Sequence, residues 1–321
     1  MVKEILENKN NQMPSNMPNF SRKKYLAEKY GGKVWFIICT LIVVFGAFLM
    51  VFPYLWMFLS ALKTPLEAVR VPMTFFPTDP NWGIFTEAFT AEKLNFFNSM
   101  KNTLIIEVLV ITVGTFFSTL CAFAFAKMNF RFKKTILIIL MTSMMIPYAA
   151  VMLPQYRTFM SMGWVASDNW FMNLLPLIVP GLFGNISMTF FLITAMQTAI
   201  NDAIVEEAKV EGCSWFRIYW SIGLPLARPA IAAQIIFWFV GIWNDYFAPS
   251  IYLTSPDSWT LQVAIQLLTS GTDNSDLPLL FASSFLSSIP TIIIFILCRK
   301  MFINMNANSG IKGWFICIQI H

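Results

Sequence analysis

Few residues in this chain could perform covalent chemistry. The single histidine is His321, the last residue, so neither a histidine base nor a histidine metal site is predicted. The five cysteines lack the paired spacing of zinc or redox sites. The phosphate-binding string G-x-x-x-x-G-K-[ST] is absent, as are the G-x-S-x-G and H-E-x-x-H motifs. The sequence therefore predicts no catalytic residue, no metal site and no cofactor bound by this chain.

A polar stretch at about residues 200–228 has the features of a contact surface instead. Asn201 and Ser214 are each placed to cap a short helix. Gly212 lies between them, where a tight turn is easiest for a residue without a Cβ. Pro225 and Pro229 are expected to stop or kink the chain behind the second helix. A short helix, a glycine corner and another short helix would form a stiff, amphipathic knob.

Composition indicates that these residues belong to a membrane protein. The 321 residues are 57% hydrophobic and only 12% charged, whereas soluble domains carry about 25% charged residues. One water-soluble core could not enclose so much apolar surface, so an all-α polytopic protein surrounded by membrane lipid is predicted. The net charge of +5 fits basic membrane flanks and is not taken as a sign of nucleic-acid binding.

Six apolar spans are predicted, each long enough to cross about 30 Å of hydrocarbon at about 1.5 Å per helical residue. Their approximate bounds are 34–62, 103–126, 135–156, 173–196, 229–253 and 279–298. The predicted organisation is an N-terminal tail at 1–33, a six-span domain at 34–303 and a C-terminal tail at 304–321. The polar stretch then falls between spans four and five. The loop between spans one and two is expected to contain its own turns and short helices.

The charges of the connecting loops predict an orientation. Lysines and arginines cluster at 22–33, 127–134, 209–228 and 299–300, whereas the alternate loops are poorer in cations. Basic loops stay preferentially on the cytoplasmic side of a membrane. Both tails and the 200–228 stretch are therefore expected in the cytoplasm of a bacterial cell, with the chain crossing its plasma membrane several times.

A second polar stretch, from Trp243 to Tyr246, has side chains suited to a hydroxylated solute. Aromatic faces can stack on sugar rings, and the amide of Asn244 and the carboxylate of Asp245 can hydrogen-bond hydroxyl groups. An ionisable group within an apolar span suggests function by default. The alternative is that Asp245 lies near the outer interface or bonds to a neighbouring helix, with Trp243 and Tyr246 as interfacial anchors. Weaker candidates of the same kind are Asn185 and Gln234.

Taken alone, the 200–228 stretch could also be an ordinary solvated loop, but its spacing resembles the EAA loop of ABC importer permeases. Five positions match the anchoring positions of that loop, and they are Glu206, Gly212, Ile222, Leu224 and Pro225. Glu207 stands where the family has its first alanine, and Ala208 stands at the second. We call residues 200–228 the EAA-like loop. The segment Trp243–Phe247 followed by Pro249 resembles the fifth span of sugar-importer permeases.

This resemblance implies a set of partners and a division of labour. A second, related permease would complete the pore, and an ABC ATPase dimer would use ATP and Mg²⁺ in the cytoplasm. A periplasmic or extracellular solute-binding protein would deliver a sugar or oligosaccharide. The seven residues that would dock onto the ATPase are Glu206, Glu207, Ala208, Gly212, Ile222, Leu224 and Pro225.

Two alternatives stay open at this stage. The same architecture could import a different solute, such as glycerol phosphate or a polyamine, because specificity depends largely on the partners. A stand-alone secondary transporter or channel is the other alternative. It predicts more charge within the spans and often a pair of inverted halves, and neither is evident in the sequence.

Overall fold

A computed structural model describes residues 19–269 and 276–310, and side chains are described at 37–269 and 276–298. Within these ranges the regular structure is helical and contains no strand, which confirms the predicted all-α fold. The helices are α1 Asn19–Ala61, α2 Pro65–Ala68, α3 Gly83–Thr90, α4 Phe96–Lys127, α5 Lys133–Met144, α6 Tyr148–Ser161, α7 Trp170–Leu182, α8 Ile186–Ala199, α9 Asp202–Val210, α10 Trp215–Ile218, α11 Leu224–Trp243, α12 Phe247–Tyr252, α13 Leu261–Leu267 and α14 Leu277–Gly310. A π-helical turn, Tyr219–Gly223, joins α10 to α11, and a 3₁₀ turn, Pro256–Ser258, precedes α13.

The chain divides into two units, Met1–Trp56 and Met57–His321. The described part of the first unit is the greater part of α1. The apolar stretch of this helix begins at Ile37, and no side chain from there to Trp56 is buried. Helix α1 starts at Asn19, and α14 continues to Gly310, so helix crosses both predicted tail boundaries, at residues 33 and 303. The remaining parts of the predicted tails, 1–18 and 311–321, lie outside the described residues.

Five helical stretches are long and apolar enough to cross a membrane, and a bent helix pair would make a sixth. The five are Ile37–Ala61, Phe96–Lys127, Trp170–Ala199, Trp215–Trp243 and Leu277–Cys298. They overlap predicted spans one, two, four, five and six, although span five begins at Trp215 and ends at Trp243, and not at 229 and 253 as predicted. The loop after span one contains α2 and α3, which confirms the short helices expected there.

The prediction of one continuous helix for span three, 135–156, is wrong. Helices α5 and α6 lie in that region but are bent by 93° relative to each other. The physical reason is Pro147, which caps α6 from an extended conformation and has no N–H to continue a helix from α5. A proline also disfavours helical dihedrals at the residue before it, here Ile146. Span three is therefore two helices joined at a sharp corner.

Span four is also interrupted, at residues 183–185 between α7 and α8. Gly184 adopts φ +93° there, and a Cβ at this position would collide with the Ser118 hydroxyl of α4. A Cβ on Gly181 would lie 2.7 Å from a Val110 methyl group. Close packing against α4 thus requires glycine at positions 181 and 184, whereas Ser187 is exposed.

The expected stop at Pro225 and Pro229 does not occur. Helix continues from Trp215 through the π-helical turn to Trp243, so the second helix of the knob is the beginning of span five. In the π turn the Leu224 N–H donates to the Tyr219 carbonyl, one residue further back than in an α-helix. This wider turn accommodates Pro225, which lacks an N–H and would crowd the preceding turn of a regular helix.

Helix α4 is the centre of the second unit, because it contacts α7, α8, α11 and α13. A buried apolar cluster surrounds its C-terminal part and includes side chains of α8, α9 and α11. A second cluster packs its middle against α7 and α11. A third cluster packs its beginning against α3, α13 and α14. Through these contacts α4 holds the EAA-like loop in place.

Candidate functional site

The EAA-like loop turns at a glycine whose conformation other residues rarely adopt. Helix α9 ends in a Schellman motif, in which the Gly212 N–H donates to the Lys209 carbonyl at 2.9 Å. The next N–H, of Cys213, donates to the Ala208 carbonyl at 3.0 Å. Gly212 has φ +80°, and no atom lies within 4 Å of the place where a Cβ would be. The predicted glycine corner is confirmed, and backbone conformation rather than space favours glycine there.

Both predicted helix caps are present on either side of this corner. The Asn201 side chain accepts a hydrogen bond from the Ala203 N–H, and the Ser214 hydroxyl accepts one from the Arg217 N–H. The Lys209 ammonium lies 3.6 Å from the centroid of the Trp215 ring, which joins the two limbs by a cation–π contact. The corner is therefore fixed by backbone, capping and side-chain contacts together.

The EAA-like loop has an inner and an outer face. Val205 and Ala208 are buried in the cluster at the end of α4, whereas Glu206 and Glu207 are exposed. Of the other residues assigned to the loop, Gly212 is exposed, and Ile222, Leu224 and Pro225 are partly buried. The predicted set thus separates into residues that attach the loop and residues that are free to meet a partner.

Sequence reasoning missed the apolar part of the outer face. Val210 is 88% exposed, Phe216 is 59% exposed and Trp220 is 57% exposed. Val210 lies next to the exposed Glu211 and Phe216 next to the exposed Arg217 in sequence, and exposed apolar side chains next to charges are typical of a protein contact surface. Helical spacing could have identified them, since α9 and α10 bury the opposite side chains.

The structure does not bring Trp243, Asn244, Asp245 and Tyr246 together as one binding surface. Trp243 is 1% exposed, stacks on Phe239 and donates its ring N–H to the Ser287 carbonyl at 2.8 Å. Its ring therefore has no surface for a solute, contrary to the expectation. Asn244 is exposed and donates to the Val240 carbonyl of the preceding turn.

Asp245 and Tyr246 border different cavities. Asp245 follows the end of α11 and lines a cavity of about 140 Å³ between α4, α7 and α11. Tyr246 is 43% exposed and lines a separate cleft of about 240 Å³ with residues of α12 and α13. The Asp245 carboxylate accepts a hydrogen bond from the Ala248 N–H of its own chain turn, at 3.4 Å. That bond is local and not the interhelical bond considered as the alternative.

Glu107 is a buried carboxylate that was not among the sequence-predicted candidates. It lies within α4 and is 2% exposed, and neither of its carboxylate oxygens has a hydrogen-bond partner among the described residues. The amide of Gln234 on α11 is fully buried and unpartnered in the same way. The signal for Glu107 was available, because a lone acidic residue interrupts an apolar run in span two.

Comparison with known proteins relates this arrangement to a family. The arabinooligosaccharides transport system permease protein AraQ of Bacillus subtilis (strain 168) is 28% identical over 283 residues, which cover 87% of this chain and 97% of AraQ. A chain in the crystal structure of a bacterial ABC transporter involved in the import of the acidic polysaccharide alginate is 18% identical. It superposes with a TM-score of 0.68, and the alignment covers 84% of this chain and 97% of that one.

A second crystal structure shows the bacterial alginate ABC transporter in complex with an alginate pentasaccharide-bound periplasmic protein. One of its chains has a TM-score of 0.58 at 16% identity and covers 86% of this chain and 96% of its own length. At these identities the structural likeness establishes the fold. Residues 114–308 match the family described as binding-protein-dependent transport system inner membrane component, which confirms a transport subunit rather than an enzyme. Because this match includes more than half of the chain, the protein belongs to that family of inner membrane components.

Proposed function

We propose that this chain forms half of the membrane pore of an ATP-driven importer of oligosaccharides. A second, related permease supplies the other half, and the EAA-like loop docks onto an ABC ATPase dimer. ATP and Mg²⁺ are used by that ATPase and not by this chain. Binding and release of nucleotide would then shift a two-state membrane assembly through one rigid contact.

The observation that carries this proposal is the division of the EAA-like loop into two faces. Its inner face, including Val205 and Ala208, is buried against the end of α4. Its outer face combines the exposed carboxylates of Glu206 and Glu207 with the exposed Val210. A loop that is fixed on one side and open on the other can transmit force from a docked partner to the spans.

Oligosaccharides are the solute class that the relatives support. AraQ is named for arabinooligosaccharides, and the alginate transporter imports an acidic polysaccharide. The complex with a periplasmic protein supports a solute-binding protein as a further partner. Glycerol phosphate and polyamines stay the alternative solutes for the same architecture. On the solute path we retain Asn244, Asp245 and Tyr246 as candidates, whereas Trp243 supports the end of α11 from within.

The proposed orientation is derived from the positions of the loops that are rich in lysine and arginine. Both termini and the EAA-like loop face the cytoplasm, and the loop with α2 and α3 faces outward. This orientation places the outer face of the EAA-like loop where an ATPase has access to nucleotide. It also places the clefts near Asp245 and Tyr246 toward the side from which solute arrives.

A pull-down from native membranes tests the coupling assignment. The tagged chain is purified in mild detergent, and the recovered proteins are identified by mass spectrometry. We expect an ABC ATPase and a second permease with the wild-type chain. Gly212→Val should lose most of the ATPase, because a β-branched residue at φ +80° strains the corner by about 1–2 kcal/mol.

The chain offers a matched control for this variant. Gly163, after α6, has φ +72° and equally open space around its Cβ position. Gly163→Val therefore imposes a similar backbone cost away from the EAA-like loop and should retain the ATPase. Recovery of the wild-type chain without an ATPase, from membranes that still import the solute, would refute the proposed function.

A further inference from the structure

Lys127, the last residue of α4, fastens the EAA-like loop to that helix. Its ammonium group donates to the Ile200 carbonyl at 2.6 Å and to the Gln197 carbonyl at 3.5 Å. It also pairs with the Asp202 carboxylate at 2.6 Å. The Lys127 side chain is only 4% exposed, whereas Asp202 is 79% exposed. One buried cation thus contacts three acceptors at the corner between α8 and α9.

The chemistry of these acceptors explains why a lysine fits there. The carbonyls of Gln197 and Ile200 lie at the end of α8, where carbonyls lack helical partners and carry the negative end of the helix dipole. Asp202 is in the first turn of α9, where a carboxylate is favoured. An ammonium group has three N–H donors, which matches three acceptors in number.

The second limb of the EAA-like loop is attached to the same helix. The Tyr219 hydroxyl lies 2.9 Å from the Thr119 hydroxyl of α4, and both side chains are buried. The Phe123 ring contacts the rings of Tyr219 and Trp215, at centroid distances of 5.6 Å and 6.4 Å. The two limbs therefore meet α4 at different places, the first at Lys127 and the second one to two turns earlier.

From this arrangement we propose that Lys127 is a positioning residue for coupling. It makes the corner of the EAA-like loop and α4 move as one body, so that displacement of the docked loop reaches span two. The proposal rests on the proposed function for its direction, since the ATPase supplies the displacement. Without Lys127 the first limb would retain its apolar contacts but lose its polar attachment. The corner would then deform under load, and only part of each displacement would reach span two.

The test measures solute transported per ATP hydrolysed by the complex that co-purifies with the tagged chain, reconstituted in lipid vesicles. Lys127→Met keeps an unbranched chain of similar length but removes the donors. We expect this ratio to fall by about fivefold, the size of a weak coupling between two sites. The ATPase should remain bound, because the outer face of the loop is unchanged.

Two further variants keep the test decisive. Lys134→Met removes an exposed cation in the first turn of α5 and should leave the ratio at the wild-type value. Asp202→Asn keeps an acceptor oxygen but removes the negative charge that pairs with Lys127. The position is exposed, so this variant should fold normally and lower the ratio by about twofold. If Lys127→Met does not assemble, the Asp202→Asn result decides.

The outcomes separate the inference from the proposed function. A wild-type ratio in Lys127→Met, or in Asp202→Asn when Lys127→Met fails to assemble, would overturn the positioning role. A fall in both ATP hydrolysis and transport with an unchanged ratio would also overturn it, since that indicates lost docking or folding. Absence of ATP-dependent transport by the wild-type complex would instead reject the proposed function.

Discussion

At the residue scale, the loop after span one depends on a single carboxylate. The Glu67 carboxylate accepts hydrogen bonds from the Thr74 hydroxyl at 2.9 Å and from the Thr78 hydroxyl and N–H at 2.9 and 3.1 Å. Burial by itself would raise the pKa of Glu67. These hydrogen bonds and the charge of Lys63 outweigh that effect and hold the pKa below its ordinary value of 4.5.

The lowered pKa of Glu67 predicts that this loop loosens in acid. A carboxyl group whose folded pKa is below its unfolded pKa adds stability above pH 4.5, and this stability is lost as the pH falls through the folded pKa. We expect proteolysis within residues 66–80 of the purified protein to speed up below that pH. Glu67→Gln should be cleaved faster at neutral pH and show a weaker acid dependence. Equal pH profiles for the two proteins would contradict the role of Glu67.

At the element scale, the spans approach each other through glycines. A Cβ on Gly114 of α4 would lie 2.5 Å from the Gly181 carbonyl oxygen and 2.5 Å from the ring of Trp238. Neither neighbour can move easily, because one is backbone and the other is a buried tryptophan. Helices α4, α7 and α11 therefore meet at this point without room for a methyl group. In membranes such close approach is a main source of helix association, since apolar side chains are not driven together by water.

This packing predicts opposite effects for two glycine substitutions. Gly114→Ala should lower the stability of the purified protein by about 1–3 kcal/mol through overpacking. Gly241→Ala on α11 meets no atom within 4 Å and should be neutral or stabilising by about 0.5–1 kcal/mol through helix propensity. Thermal unfolding in one detergent compares the two. A wild-type unfolding midpoint for Gly114→Ala would mean that α4, α7 and α11 are less tightly packed than described.

The elements differ in how far sequence could predict them. The apolar spans could be predicted from the sequence. Backbone groups in lipid must be hydrogen-bonded within each helix, so a crossing needs one long apolar run. The caps at Asn201 and Ser214 were readable because they depend on neighbouring residues. The continuation of helix through Pro225 could not be predicted, since it depends on a π-helical turn. The burial of Trp243 was also missed, because it depends on α14, which lies far away in the sequence.

At the scale of the whole molecule, the number of membrane crossings depends on α5 and α6. If this bent pair crosses, α4 and α7 enter the membrane from the same side, and the EAA-like loop shares a side with the loop at 128–132. If it re-enters, the sidedness of every later element is reversed. The basic residues at 127–134 and 209–228 favour a full crossing, because they then face the same side.

Cysteine accessibility tests this crossing. In a chain whose five native cysteines are replaced by serine, Met162→Cys and Lys134→Cys place single thiols on either side of the bent pair. We expect an impermeant maleimide to label Met162→Cys in intact spheroplasts and Lys134→Cys only in inverted vesicles, since a crossing separates the two residues by the membrane. Labelling of both from one side would show a re-entrant pair and five crossings.

Helix α4 has one more property, which follows from what its first turns contact. The side-chain amides of Asn98 and Asn102 donate to the Asp257 carbonyl at 2.8 Å, and the Thr103 hydroxyl accepts from the Leu261 N–H at 2.9 Å. Its 32 residues contain no proline and extend about 48 Å. The 253–261 segment and the EAA-like loop are thus attached to opposite ends of one uninterrupted helix. Suppose that a molecule bound at one end changes the binding affinity at the other end through the position of α4. By thermodynamic reciprocity, binding at the second end then changes the affinity at the first end by the same factor.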